Sequence, residues 1–230
     1  MDDRPITVAQ RNFRQHAEAL ERMGNRERFT YIFQSNLWES DSVSGPGSEL
    51  EQTRDLRTKL PESLARFGVR TLLDLPCGDF GWLSGVDLGV ERYIGADIVP
   101  GLIDRNLERY GQDPAREFRV LDLTSDDLPR ADAVLCRDCL VHLSYEDIRR
   151  AIANLRRSGS RYLLTTTFPE TTANADISTG DWRPLNLCRE PFGFPEPLLV
   201  LFEGCTEEDG AFADKALALW EIGSLPGTPD

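Results

Sequence analysis

From residue 69 onward the chain alternates short apolar runs with segments of helix length, and no other feature restricts its fold as much. Candidate strands are residues 70–75, 92–97, 118–121, 131–136 and 161–167. That rhythm implies βαβ units, in which parallel strands lie side by side with helices on both faces. The best-marked helix follows Ser144 and Asp147, a capping-box spacing, and repeats Ile148, Ala151, Ile152 and Leu155 on one face. Two further runs, 198–202 and 216–222, are joined by a loop without helical periodicity, so this last pair is expected to be antiparallel. The predicted fold is α/β: a doubly wound, mostly parallel seven-stranded sheet with an antiparallel last strand pair and an N-terminal helical extension.

The division expected from this pattern is 1–68 for the extension and 69–230 for the sheet domain. In the extension Phe13, Ala17 and Leu20 repeat with helical spacing, and Phe29, Tyr31, Phe33 and Trp38 lead into the turn-rich run 42–47. Ser48 and Glu51 have capping-box spacing, so a helix is expected to begin there and run, kinked or broken at Pro61, to Gly68 as its C-terminal cap. Residues 168–197 carry five prolines and two glycines together with Phe168, Trp182, Phe192 and Phe194. An irregular stretch of that length is functional or disordered, and its aromatics favour an ordered lid loop.

Charge narrows the partners. With 26 basic and 39 acidic residues the net charge is −13, which opposes a phosphate backbone, so no nucleic acid is expected. No apolar run is long enough for a membrane span, and Met1-Asp2-Asp3-Arg4-Pro5 has no basic, apolar leader pattern, so a cytoplasmic protein with no membrane partner is expected. Only Lys59 and Lys215 are lysines, a skew read as genome composition rather than function. Five cysteines without a secretion signal point to reduced thiols. Cys136, Cys139 and His142 have ligand-like spacing, but a structural zinc takes four ligands and no second pair is suitably spaced, so no metal is expected. Oligomeric state is not legible.

The chemistry concentrates where strands end. The first strand closes on Asp74 and turns through Pro76, Cys77 and Gly78 into an expected helix. At the first strand of a doubly wound sheet this edge binds nucleotide-like ligands. Asp97 follows 23 residues later, placed to take two ribose hydroxyls, and Asp122 a further 25 residues on, placed to accept from an exocyclic amine. A nicotinamide enzyme is disfavoured because G-x-G-x-x-G is absent.

At Asp74, Gly78, Asp97 and Asp122 the chain resembles the class I S-adenosylmethionine-dependent methyltransferases, over roughly residues 69–222. It departs from their pattern at Pro76 and Phe80, which stand where glycines are common. The resemblance implies S-adenosyl-L-methionine as cofactor, with Asp74, Pro76, Gly78, Asp97, Ile98, Asp122, Leu123 and Arg137 as its site. The 44–48 turn is expected to close the cofactor from the other side with Trp38 and Thr53.

The fourth strand runs into Arg137, Asp138 and His142. Asp138 is expected to orient His142, a histidine titrating near 6.5, as catalytic base. Arg137 and the lid residues Asp181, Trp182, Arg183 and Asn186 are the candidates for holding the substrate. The activity expected is methyl transfer to a polar small molecule or a sugar unit, with oxygen the preferred acceptor. N-methylation of a small-molecule amine and a non-catalytic cofactor-binding module are the alternatives.

Overall fold

The structure, a computed structural model, describes residues 4–40 and 42–227; Met1 to Asp3, which entered the reading of the chain's start, lie outside it. Its centre is one seven-stranded sheet: β1 (Thr71–Asp74), β2 (Arg92–Asp97), β3 (Arg116–Val120), β4 (Ala133–Cys136), β5 (Tyr162–Thr167), β6 (Leu199–Phe202) and β7 (Ala216–Glu221). The order is β3-β2-β1-β4-β5-β7-β6, with β7 antiparallel to both β5 and β6 and the other pairings parallel. Each expected strand forms within two residues of its bounds.

Because side chains alternate across a strand, each strand feeds two cores. On one face Leu72, Tyr93, Leu135 and Leu164 pack with Leu56, Leu60 and Leu64 of α3 (Arg54–Arg66) and Ile103 of α4 (Pro100–Tyr110). On the other, Leu73, Ile94, Val134 and Leu163 pack with Ile148, Ala151, Ile152 and Leu155 of α5 (Tyr145–Arg157). The N-terminal helices α1 (Val8–Glu21) and α2 (Asn25–Gln34) close a smaller cluster around Phe13, Leu20, Ile32 and Leu37. Among the described residues, no helix is long and apolar enough to cross a membrane.

Several expectations are corrected. The helix expected after β1 does not form: residues 81–85 are successive turns, and Phe80, at φ +56°, takes the left-handed conformation a glycine would favour. Burial of its ring against Tyr93, Tyr110 and Phe118 at centroid distances of 4.9–5.5 Å offsets that strain. Between β3 and β4 there are again only turns. The helix expected from Ser48 starts at Arg54, because Ser48 closes a 3₁₀ turn (Pro46–Ser48) and Glu51 bonds Arg54 instead of reaching back. It runs unbroken through Pro61 and ends, as expected, at Gly68 with φ +67°. At Ser144 the hydroxyl accepts from the Asp147 amide as the sequence predicts, while the Asp147 carboxylate turns to Asn25 and Thr179.

Residues 168–197 are ordered but form a strap along the α5 face rather than a lid. Leu185, Leu187, Phe192 and Phe194 are buried in the sheet core. Side-chain amides serve the strap's own backbone: the buried Asn186 Nδ2 donates to the carbonyls of Pro169 and Thr171, and the half-buried Asn174 Nδ2 to those of Asn186 and Glu190. An irregular segment can be buried only if its carbonyls are satisfied in this way.

Candidate functional site

A cavity opens at the carboxyl ends of β1, β2 and β4, where strand order reverses around β1. Trp38, Asp74, Pro76, Gly78, Asp97, Ile98, Asp122, Leu123, Arg137, Asp138 and His142 all line it. Ser44 and Ser48 of the expected 44–48 turn line it too, as do Phe29, Phe33, Val43 and Trp82, which were missed; the one available signal was the aromatic cluster ahead of the 42–47 turn.

At the floor, Asp97 is 5% exposed and receives one backbone N–H on each carboxylate oxygen, from Gly78 at 3.1 Å and Val99 at 2.9 Å. A carboxylate has about four lone-pair sites. The Ile98 amide contributes a further hydrogen bond, and the acceptor capacity left over suits a hydroxyl donor. Burial raises the Asp97 carboxyl to about 6 against these hydrogen bonds. Asp74 is raised to about 7, again chiefly by burial, although it accepts from Tyr93 Oη at 2.6 Å. Asp122 uses Oδ1 for both the amide and the hydroxyl of Thr124.

Gly78 sits at φ +54°, and a Cβ on it would lie 2.2 Å from Ser44 Oγ. What approaches this glycine is thus the 42–48 turn: Ser44 Oγ accepts from the Asp79 amide at 2.8 Å, and Ser42 Oγ donates to the Asp79 carboxylate. Trp38 anchors the turn's other side against Gly45. Thr53, expected at the cofactor, is fully buried outside the cavity with its hydroxyl on the Glu49 carbonyl.

Asp138 does not orient His142. It stands at φ +49°, receives Lys215 Nζ at 2.7 Å, and pairs with Arg137 at 3.2 Å, while its amide donates to Thr166. Burial opposes its charge, but these two cations hold it well below the usual carboxylate range. Arg137 is likewise occupied, donating to Glu203 at 2.6 Å and to the Gly47 carbonyl at 2.7 Å. Lys215, read as a compositional accident, is a buried member of this ion network.

His142 instead donates from Nδ1 to the backbone carbonyl of Asp181 at 2.8 Å, since a carbonyl only accepts. Its neutral ring then carries the free lone pair on Nε2. Its ring lies 5.0 Å from that of Trp38, tilted by 31°. Burial pushes its pKa down to about 4, not near 6.5. The other lid candidates face away from the cavity: Trp182 packs edge-on against Phe168 and Phe212, the Asp181 carboxylate accepts from the Trp182 amide, and Arg183 and Asn186 serve backbone carbonyls. Among the described residues, no group of three or more metal-ligating side chains converges.

Strand order, the antiparallel β7 and a cavity rimmed by strand-terminal acids define the class as the Rossmann-like class I methyltransferase fold. Residues 73–160 match the family described as methyltransferase domain. The N-methyltransferase NodS of Bradyrhizobium japonicum, solved with S-adenosyl-l-homocysteine, is 17% identical, with 84% of this chain and 97% of that one covered at a TM-score of 0.59. The Burkholderia thailandensis 1,6-didemethyltoxoflavin-N1-methyltransferase is 15% identical, with 95% and 92% covered at 0.60. No curated protein matches the sequence. The chain thus has the fold of the class I S-adenosylmethionine-dependent methyltransferases and carries a methyltransferase-domain match over residues 73–160. The residues present fit that methyl donor: Asp97 is a buried carboxylate in the cavity wall with acceptor capacity left over, and Trp38 Nε1 is a buried donor without a partner in the protein.

Proposed function

We propose that the protein methylates a hydroxyl oxygen on a small, ring-bearing, largely apolar acceptor, with His142 as the base. The observation that carries this reading is the fixed tautomer of His142, whose Nδ1 is committed to Asp181 and whose Nε2 lone pair remains beside Trp38 in the cavity wall. Asp97 would hold the ribose hydroxyls, Asp122 the adenine amine, and Ile98 and Leu123 the purine faces. When bound, the donor supplies a methyl group on a cationic sulfur for in-line displacement by the acceptor oxygen, with the C–S bond breaking as O–C forms.

His142 Nε2 takes the proton that the hydroxyl loses. A hydroxyl becomes strongly acidic as its oxygen is alkylated, so a base with a pKa of about 4 suffices and is neutral at pH 7. A neutral amine attacks through its lone pair and needs no base in that step, which is why oxygen is preferred to nitrogen. The expected sugar or strongly polar acceptor has less support, because Arg183 and Asn186, meant to read its hydroxyls, are committed to backbone carbonyls, while Phe29, Phe33 and Trp38 line the cavity.

An acceptor screen read by S-adenosylhomocysteine release tests the proposal. His142→Gln is expected to lower kcat by about 10²- to 10⁴-fold with S-adenosylhomocysteine affinity retained. Turnover of amines only, or His142→Gln within threefold of the parent on a hydroxyl acceptor, refutes it. Donor binding without turnover of any acceptor favours the non-catalytic module.

A further inference from the structure

The strap grips the short turn that carries His142 through several hydrogen bonds, and the grip centres on one buried cation. Arg183 Nη1 donates to the carbonyls of Leu140 at 3.0 Å and Val141 at 2.8 Å, and Nη2 to that of Leu143 at 2.8 Å. Its Nε reaches back to the Ala175 carbonyl within the strap at 3.1 Å, and its own amide donates to Val141 at 3.1 Å. The Gly180 amide donates to the His142 carbonyl at 2.7 Å, and Thr179 Oγ1 accepts from the Ser144 amide at 2.9 Å. Between them, these donors occupy the carbonyls of residues 140 through 143, the whole 3₁₀ turn (Leu140–His142) and its cap. The same stretch of strap supplies the Asp181 carbonyl that fixes the imidazole.

We infer that Arg183 is the positioning residue for His142: its guanidinium ties the 140–143 turn to the strap, so that the Asp181 carbonyl meets Nδ1 and Nε2 is held as the free base in the cavity wall. This rests on His142 being the base and gives Arg183, expected from sequence to touch substrate, a different role.

A stability-only role is a poor account of this arrangement. A planar fork with five donors is the side chain suited to several carbonyls at fixed angles, and a lysine would satisfy only some of them. Arg183 also acts on His142 electrostatically. Burial is the largest influence holding the His142 pKa down; after it, the Asp181 hydrogen bond and Asp138 raise it, and Arg183 and Lys215 lower it. Trp38, packed against the ring from the N-terminal side, is uncharged. Removing the Arg183 charge while retaining a polar side chain should therefore move the acid limb of the kcat/KM profile upward from about 4.

The test combines a spectrum of the parent with two substitutions. In ¹⁵N-labelled parent protein at pH 7, His142 should show a protonated Nδ1 and an unprotonated Nε2; a protonated Nε2 overturns the inference whatever the activity does. Arg183→Lys keeps the charge and loosens the turn, so kcat should fall by roughly 10- to 100-fold, the scale of small misplacements of a catalytic group. Its acid limb and its affinity for S-adenosylhomocysteine should stay at the parent values. Arg183→Gln should show the same loss of kcat and an upward-shifted acid limb. If that variant fails to fold, the parent spectrum and Arg183→Lys decide. Folded Arg183→Lys with parental kcat and an unchanged His142 spectrum refutes the positioning role. An active His142→Gln refutes the proposed base instead, so the two failures are distinguishable.

Discussion

Replacing Gly78 by alanine isolates what the turn after β1 demands. At φ +54° an alanine sits in the left-handed region, which costs about 1–2 kcal/mol. Its Cβ would lie 2.2 Å from Ser44 Oγ and 2.9 Å from Ser44 Cβ, so Ser44 must move and release the Asp79 amide. Losing that hydrogen bond costs roughly another 0.5–1.5 kcal/mol. Gly78→Ala should accordingly destabilise the protein by about 1.5–3.5 kcal/mol, read as a lower urea midpoint at unchanged slope. Ser44→Gly removes both clashing atoms but already lacks the hydrogen bond. The double variant should therefore be less destabilised than the sum of the singles by about 0.5–1.5 kcal/mol, the one hydrogen bond that both singles lose. Because Ser44 belongs to the turn lining the cavity, Gly78→Ala should also weaken S-adenosylhomocysteine in calorimetry, with partial recovery in the double variant. Unfolding of Gly78→Ala within about 0.5 kcal/mol of the parent, or strict additivity with Ser44→Gly, would refute the reasoning.

Asp97→Ala should weaken S-adenosylhomocysteine by about 1.5–3 kcal/mol per hydrogen bond lost to the charged carboxylate; unchanged calorimetric affinity removes Asp97 from the site. Lys215→Met leaves Asp138 and Glu203 to Arg137 alone, and breaking such a buried network should cost about 3–5 kcal/mol; denaturation midpoints check this, and adding Glu203→Gln should restore part of the loss. The Asp74 carboxyl, raised from 3.8 to about 7, contributes stability that is present below 3.8 and lost as pH rises through 7, so Asp74→Asn should flatten the fall in parent stability between pH 4 and 7. His142, lowered from 6.5 to about 4, acts oppositely and loses its contribution as pH falls through 4, so His142→Gln should steepen that same fall.

The strands and the acids that end β1 and β2 were legible because both are local. A run such as Thr71–Asp74 shows its burial by composition, and the acid that closes it is placed at the sheet edge by the strand itself. Ser144 capping α5 was legible for the same reason, since N-cap and first turn are three residues apart. The misreading at Ser48 shows where local spacing stops deciding: the motif was present, but its serine closed a tighter turn through the Ser44 carbonyl. After β1 the glycine turn suggested a helix, and burial of Phe80 among Tyr93, Tyr110 and Phe118 selected successive turns instead.

By itself, then, the sequence determined the alternating sheet, its antiparallel ending and the strand-terminal acids around one cavity, all consequences of periodicity, turn chemistry and short spacing. Only the tertiary structure decided the partners of the polar side chains. Asp138 and His142 are four residues apart, yet Asp138 pairs with Lys215, 77 residues away, and His142 with Asp181, 39 residues away. Arg183, Asn186 and Lys215 changed roles for the same reason. A buried charge or amide must find partners wherever packing brings them, and folding the strap across the sheet presents backbone carbonyls that no pattern along the chain can announce.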